Sequence, residues 1–234
     1  MWLHEARGNE TGWNAWLPDL PGFATHADTE AAVLNRLPTK AEEHIRWLRA
    51  HDLPEAQATR PESFSVAERV TGDEIIFSGD RGPATDREFS LALRLLECSR
   101  SDLLAVLARM PEAALDWDPP YRDFAGWATW RTIRQILAHI SNTETHYYLA
   151  AIGCIPDMPP AEPDADWRRH LPAHRLAAID FLEEVRLSDD RARLRDVVDD
   201  QWSVRKVLRR LVRHELLHLK SITRIGREFE QRRV

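Results

Sequence analysis

The chemistry-bearing residues that stand out first are His214 and His218, in the run His214-Glu215-Leu216-Leu217-His218. Histidines four apart on a helix project from one face about one turn apart, which lets both imidazoles reach the same metal ion. On a helix drawn with His214 at zero, Val207, Leu211, His218, Ile222 and Ile225 fall within about 80°. Both imidazoles therefore lie in an apolar stripe, where a polar ring needs a partner and a metal supplies one. Two core histidines satisfied by hydrogen bonds would show the same spacing, so the pair needs a third ligand to mean more.

The string also fits H-E-x-x-H, the metalloprotease pattern in which the glutamate is a general base and a third ligand follows downstream. The extended form of that pattern needs a histidine at 224, where this chain has Arg224. Glu228 and Glu230 follow too closely along the same helix to fold back onto the site, and little chain follows His218. A zinc protease is the less favoured expectation, and the third ligand is expected from upstream.

His139 is the best candidate. It lies midway along a helix expected over 132–152, flanking the stripe Ile133, Ile136, Ile140 and Tyr147, as His214 and His218 lie midway along a helix expected over 203–228. His146 competes, near the same face but roughly 10 Å further along at 1.5 Å per residue. Three histidines leave a place for water, thiolate or substrate, which a catalytic metal requires. Glu215, about 100° from His214 at the edge of the stripe, is expected as a general base or as a partner to a ligand. Glu144, within the earlier stripe, is the second candidate; solvated or ion-paired carboxylates would account equally well for either. Cys98 and Cys154 have no histidine near them in sequence and are expected as packing residues, not nucleophiles. His4, His26, His44 and His51 are scattered, and His170 and His174, flanking Leu171-Pro172-Ala173, are expected at the surface.

The elements that must position these groups lie in the second part of the chain. Ser78-Gly79-Asp80-Arg81-Gly82-Pro83-Ala84 is rich in turn residues and marks a boundary, after which everything reads as helical. One helix is predicted over 85–109 from the capping box Thr85-x-x-Glu88, with Phe89, Leu93, Leu96, Leu103 and Leu107 as its stripe. Others follow over 132–152, 172–186 and 203–228, the last with Ser203 as cap. Thr132-Ile133-Arg134-Gln135-Ile136-Leu137 matches Ser203-Val204-Arg205-Lys206-Val207-Leu208, each closely preceded by a tryptophan, Trp130 or Trp202. That repeat predicts two related helix pairs forming one four-helix bundle. The first part reads as mixed: a strand at Trp13-Asn14-Ala15-Trp16-Leu17, a turn at Leu20-Pro21-Gly22, a helix over 28–49 capped by Asp28 or Thr29, and short strands over 64–70 and 74–77. Pro38 is expected to kink that helix or start a second one. The expected fold is thus an α+β region over 1–80 followed by an all-α four-helix bundle over 84–234.

Composition narrows the partners. With 32 Lys+Arg against 38 Asp+Glu, the 234-residue chain has a formal charge of −6, which argues against non-specific nucleic-acid binding. No apolar run approaches the ~20 residues of a membrane span. No secretory signal pattern opens the sequence, and its two cysteines make no Cys-x-x-Cys. A reduced, cytoplasmic protein acting on a small-molecule substrate, with no nucleic acid or membrane partner, is expected.

The segments Trp130-Arg131-Thr132-Ile133-Arg134-Gln135-Ile136-Leu137-Ala138-His139-Ile140, Trp202-Ser203-Val204-Arg205-Lys206-Val207-Leu208 and His214-Glu215-Leu216-Leu217-His218 resemble the DinB-like superfamily, which includes thiol-dependent transferases and isomerases. The resemblance covers about residues 84 to 230. It places the metal histidines on His139, His214 and His218. It also implies a four-helix bundle, commonly a homodimer, with a divalent ion (nickel or zinc) and a low-molecular-weight thiol as cofactors. Across about residues 1 to 52, Gly12-Trp13-Asn14-Ala15-Trp16-Leu17-Pro18-Asp19-Leu20-Pro21-Gly22 and Asp28-Thr29-Glu30-Ala31-Ala32-Val33 resemble a HicB-type antitoxin domain, a small αβ unit. No helix-turn-helix accompanies it, so a binding or oligomerising module is expected there. The expected function is a metal-dependent enzyme, a thiol-dependent transferase or a hydrolase. The alternative is a non-enzymatic metal-binding or stress-response interaction protein with an antitoxin-like N-terminal module.

Overall fold

A computed structural model describes residues 1–7, 11–54, 64–120, 130–198 and 200–232. The N-terminal region is a four-stranded sheet backed by one long helix. Strands β1 (Trp2–Arg7), β2 (Thr11–Trp16), β3 (Ala24–Ala27) and β4 (Glu68–Gly72) lie in the order β3-β2-β1-β4. β1 runs antiparallel to β2, with Leu3 opposite Ala15, and parallel to β4. Leu3 and Ala15 are fully buried in a core shared with α1 (Glu30–Ala50), which turns Val33, Leu37, Ala41, Ile45 and Leu48 inward. Thr29 caps α1, its hydroxyl accepting from the Ala32 amide at 3.2 Å, and Pro38 sits inside the helix without ending it. The strand expected over 74–77 is instead a loop leading into a 3₁₀ turn at Ser78–Arg81. β1 escaped the alternation test because His4 is buried beside Leu3, its ring bonded to the Gly72 carbonyl at 2.9 Å.

Helices dominate the rest: α2 (Asp86–Leu107), the short α3 (Glu112–Leu115), α4 (Ile133–Asn142) continued by a π-helical stretch (Thr143–Leu149), α5 (Trp167–Leu187) and α6 (Val204–Arg232). The architecture is therefore the expected α+β region followed by a helical region. Two details correct the expectation. A hairpin of β5 (Leu194–Val197) and β6 (Asp200–Ser203) interrupts the helical run. Its strands have four residues each and are mostly polar, so neither length nor period marks them. Helix α5 begins ahead of Pro172, because the Asp166 carboxylate caps it by accepting from the Arg168 amide at 3.1 Å.

Both copies of the sequence repeat open a helix in the same way. The Thr132 hydroxyl accepts from the Gln135 amide at 3.3 Å while the Gln135 side chain accepts from the Thr132 amide at 3.1 Å; the Ser203 hydroxyl accepts from the Lys206 amide at 3.1 Å. Among the described residues, two large apolar clusters fill the interior, beside a small one of Trp16, Ala24 and Phe77. The larger joins Leu3, Leu17, Phe23 and Leu37 to Leu95, Tyr148, Leu208 and Val212. The second gathers Leu103, Ile133, Ile136, Ile140, Trp167 and Ile222. His139, His214 and His218 lie along α4 and α6 where one cluster gives way to the other. Among the described residues, no helix is long and apolar enough to cross a membrane.

Candidate metal centre

Helix α4 puts Ile133, Ile136, Leu137 and Ile140 into the core, and His139 falls beside that stripe, partly buried. Helix α6 buries Val207, Leu211, His218, Ile222 and Ile225, with His214 in the same row and partly buried. The packing of α4 against α6 brings the three rings together. His214 Nε2 stands 3.0 Å from His139 Nε2 and 3.1 Å from His218 Nε2. The three form a group able to hold one ion, their ligand atoms within 4.8 Å of one another.

These distances test whether a cation fits. Two metal–nitrogen bonds of about 2.1 Å at ordinary coordination angles place their nitrogens roughly 3.0–3.4 Å apart. A ring nitrogen has a single in-plane function, as donor or as acceptor. His214 Nε2 can therefore satisfy only one of its two neighbours by sharing a proton, whereas a cation among the three satisfies all of them. Burial pushes the His139 imidazole down to about pKa 4. Burial, helped by the two facing imidazoles, pushes His214 well below the ordinary value. Both rings are thus held neutral, the form that coordinates a metal. The donor set fits a divalent ion.

Neighbouring groups fix the rings. The Thr143 hydroxyl lies 3.2 Å from His139 Nδ1. The indole of Trp130 stacks on His139 at 3.5 Å between centroids with 14° between planes, and meets His218 edge-on at 6.1 Å. Tyr148 stands edge-on to His214 at 5.6 Å. Trp130 entered the sequence reading as a marker of the repeat and of the family resemblance, not as a neighbour of the imidazoles.

Glu215 is buried, 2 % exposed, and held from both sides. Arg100 Nε donates to Glu215 Oε1 at 2.7 Å, and Arg175 Nη2 donates to Glu215 Oε2. Arg175 Nε also donates to Glu144 Oε1 at 2.5 Å, and Arg100 Nη2 lies 3.5 Å from Glu144 Oε2. One residue each from α2, the π-helical stretch, α5 and α6 thus closes a buried, charge-balanced quartet. Burial raises the Glu215 pKa, but the Arg100 and Arg175 guanidiniums overcome it and hold the carboxyl below its usual range. The two arginines were missed, though Arg100 stands between Leu96 and Leu103 on the buried stripe of α2, a signal that was there to read.

His146 lies elsewhere. Its Nδ1 is 2.8 Å from the Thr145 hydroxyl and its Nε2 3.1 Å from the Met158 carbonyl. His170 and His174, expected at the surface, are buried: His170 Nδ1 is 2.9 Å from the Ser141 hydroxyl, and His174 Nδ1 is 2.7 Å from the Thr145 hydroxyl. The physical reason is the earlier start of α5, which turns both rings toward α4 and its π-helical extension. Cys98 and Cys154 are free and partly buried, and burial raises both thiol pKa values, which suits packing rather than nucleophilic roles.

The family model described as the DinB superfamily matches residues 95–222, a span that contains all three imidazoles and the whole quartet. No curated protein and no solved structure matches the chain.

Proposed function

The chain belongs to the DinB superfamily, and from that membership and the converging imidazoles we propose that it is a metal-dependent enzyme whose His139, His214 and His218 hold one divalent ion, nickel or zinc. The observation that carries this reading is the contact of one nitrogen, His214 Nε2, with two others at 3.0 and 3.1 Å. When bound, the ion supplies Lewis acidity that lowers the pKa of a neighbouring thiol or water. A low-molecular-weight thiol or water is then the nucleophile, and a small electrophile the substrate.

The protein's own residues supply orientation and exclusion of water. Thr143 and the Trp130 face set the His139 ring, and the same indole shields His218. Glu215, expected as a general base or as a partner to a ligand, has both oxygens occupied by guanidiniums, which supports a positioning role: it holds the middle of α6, and with it the two flanking histidines, against α2 and α5. We read the N-terminal sheet and α1 as a HicB-like binding module rather than part of this chemistry.

Elemental analysis of the purified protein tests the proposal. It should find about one divalent ion per chain. His139→Ala, His214→Ala and His218→Ala should each lose the ion, while His146→Ala keeps it. Full retention in His214→Ala or His218→Ala overturns the site, and loss in His146→Ala without loss in His139→Ala overturns the choice of third ligand.

A further inference from the structure

Helix α6 carries nine Lys/Arg against three Asp/Glu, in a chain whose formal charge is −6. Positive charge is therefore concentrated on this helix, and it is not spread evenly around it. At about 100° per residue, Arg213, Lys220, Arg224 and Arg227 fall within about 60° of one another, roughly 80–140° around from His214. At 1.5 Å per residue the stripe they form is about 21 Å long. Lys220, Arg224 and Arg227 are exposed, and Arg213 partly so. With Thr223, Glu228 and Gln231, the three exposed cations line an open groove of about 500 Å³.

These three cations lack counter-charges. Earlier on α6, Arg205 pairs with Glu88 at 2.7 Å, Arg209 with Asp80 at 2.6 Å, and Arg210 with Glu74. Among the described residues, no carboxylate forms an ion pair with Lys220, Arg224 or Arg227. Partial burial and the positive charges of Arg213, Lys40 and Arg36 hold the Lys220 pKa below its ordinary value, with Glu43 opposing them. Glu43 is itself bonded to Lys40 at 2.7 Å. Cations of α1 and α6 thus repel one another here, and a bound anion would relieve that repulsion. On α1 and α6, only Leu217 exposes a large apolar side chain. A protein interface needs an apolar centre and a membrane surface an apolar face, and the stripe has neither. What it offers is charge in a line, which suits a phosphate backbone whose condensed counterions are released as Lys and Arg replace them. The overall charge of −6 argues against such a partner only where charge is evenly spread.

We propose that this stripe binds the phosphate backbone of a nucleic-acid strand, whatever its sequence. The site lies on a different face of α6 from the imidazoles, and metal content does not bear on it. Fluorescence anisotropy of the full chain with a labelled single-stranded RNA of about 20 nucleotides should show saturable binding in about 50 mM KCl, with a Kd below about 100 µM. For three or four cations, the logarithm of the affinity should fall against that of the salt concentration with a slope of about −2 to −3. Lys220→Glu with Arg224→Glu should weaken binding at least about ten-fold in protein that still melts cooperatively. Arg169→Glu with Arg195→Glu makes the same change in total charge at exposed positions on α5 and β5, and should leave the affinity within about three-fold. Arg227→Gln removes one cation and should reduce the steepness of the salt slope by about 0.7. Phosphatidylglycerol vesicles and polyglutamate should bind more weakly than the RNA. Absence of saturable RNA binding, an equal loss in the Arg169 and Arg195 variant, or tighter binding of the vesicles or of polyglutamate overturns the proposal. Should Lys220→Glu with Arg224→Glu not fold, an unchanged slope in Arg227→Gln overturns it alone.

Discussion

At the residue scale, the quartet and the imidazoles make opposite demands on the same turn of α6. Glu215 must stay charged to balance Arg100 and Arg175, while His214 beside it must stay neutral. Glu215→Gln keeps the shape and removes the charge, leaving two buried guanidiniums on one carboxylate. Breaking one partner of a buried ionic network costs roughly 3–5 kcal/mol, so urea unfolding should show a loss of that order. A loss below about 1 kcal/mol would mean that the quartet is as weak as an exposed pair. His44 gives a cleaner pH effect. It is buried, 2.8 Å from the Pro21 carbonyl, and burial pushes its pKa to about 4. The unfolded chain, with an ordinary histidine near 6.5, takes up the proton first, so stability is full above that pH and falls toward pH 4. Between pH 7 and 5 the site should lose about 2 kcal/mol. His44→Gln retains a donor for Pro21 and should remove that part of the slope in urea unfolding at the two pH values. The His214–His218 pair was legible because its spacing and the surrounding apolar residues are local. The roles of Arg100 and Arg175 were not, since their partners lie on other helices and only packing joins them.

At the element scale, the sequence shows well where most of the helices start, α5 excepted. The capping boxes at Thr85 and Thr132 and the cap at Ser203 all form, because a hydroxyl and a neighbouring amide decide them with no help from the rest of the chain. Thr132→Ala should therefore cost about 1 kcal/mol in urea unfolding. It should also loosen the first turn of α4, which carries His139. An unchanged midpoint would mean that Gln135, bonded to the Arg131 amide at 2.6 Å, holds the start by itself. Helix interiors are less legible. The run expected over 132–152 is helical, but its middle widens into the π-helical stretch that buries Glu144, Thr145 and Tyr148. Such a widening follows from what the side chains meet, here Arg175, His174 and His214, and leaves no period in the sequence. The β5–β6 hairpin was invisible for a related reason: four-residue strands are too short for alternation to speak.

At the scale of the whole molecule, the boundary expected near residue 80 separates two styles of sequence, yet the core runs across it. Leu3, Leu17, Phe23 and Leu37 share one apolar cluster with Leu95, Leu208 and Val212. Polar ties cross it too. Lys206 is fully buried, over the Trp202 ring at 3.7 Å, and donates to the carbonyls of Glu74 at 2.8 Å and Gln201 at 2.9 Å. Arg209 reaches back to Asp80 in the same way. A turn-rich stretch is visible in sequence, whereas the fit of one surface to another is not, so one sequence was read as two units. If the shared core governs, the sheet region and the helices cannot expose their common face separately, and calorimetry should record a single cooperative transition. Lys206→Met keeps the apolar stem and strips the donor from two carbonyls. It should lower stability by about 2–4 kcal/mol, at 1–2 kcal/mol per unsatisfied group, while the transition stays single. Two separated transitions in the unaltered protein would show that the cluster is only a contact between independent folds. Splitting that arises only in Lys206→Met would show that this lysine, rather than the apolar core, couples them.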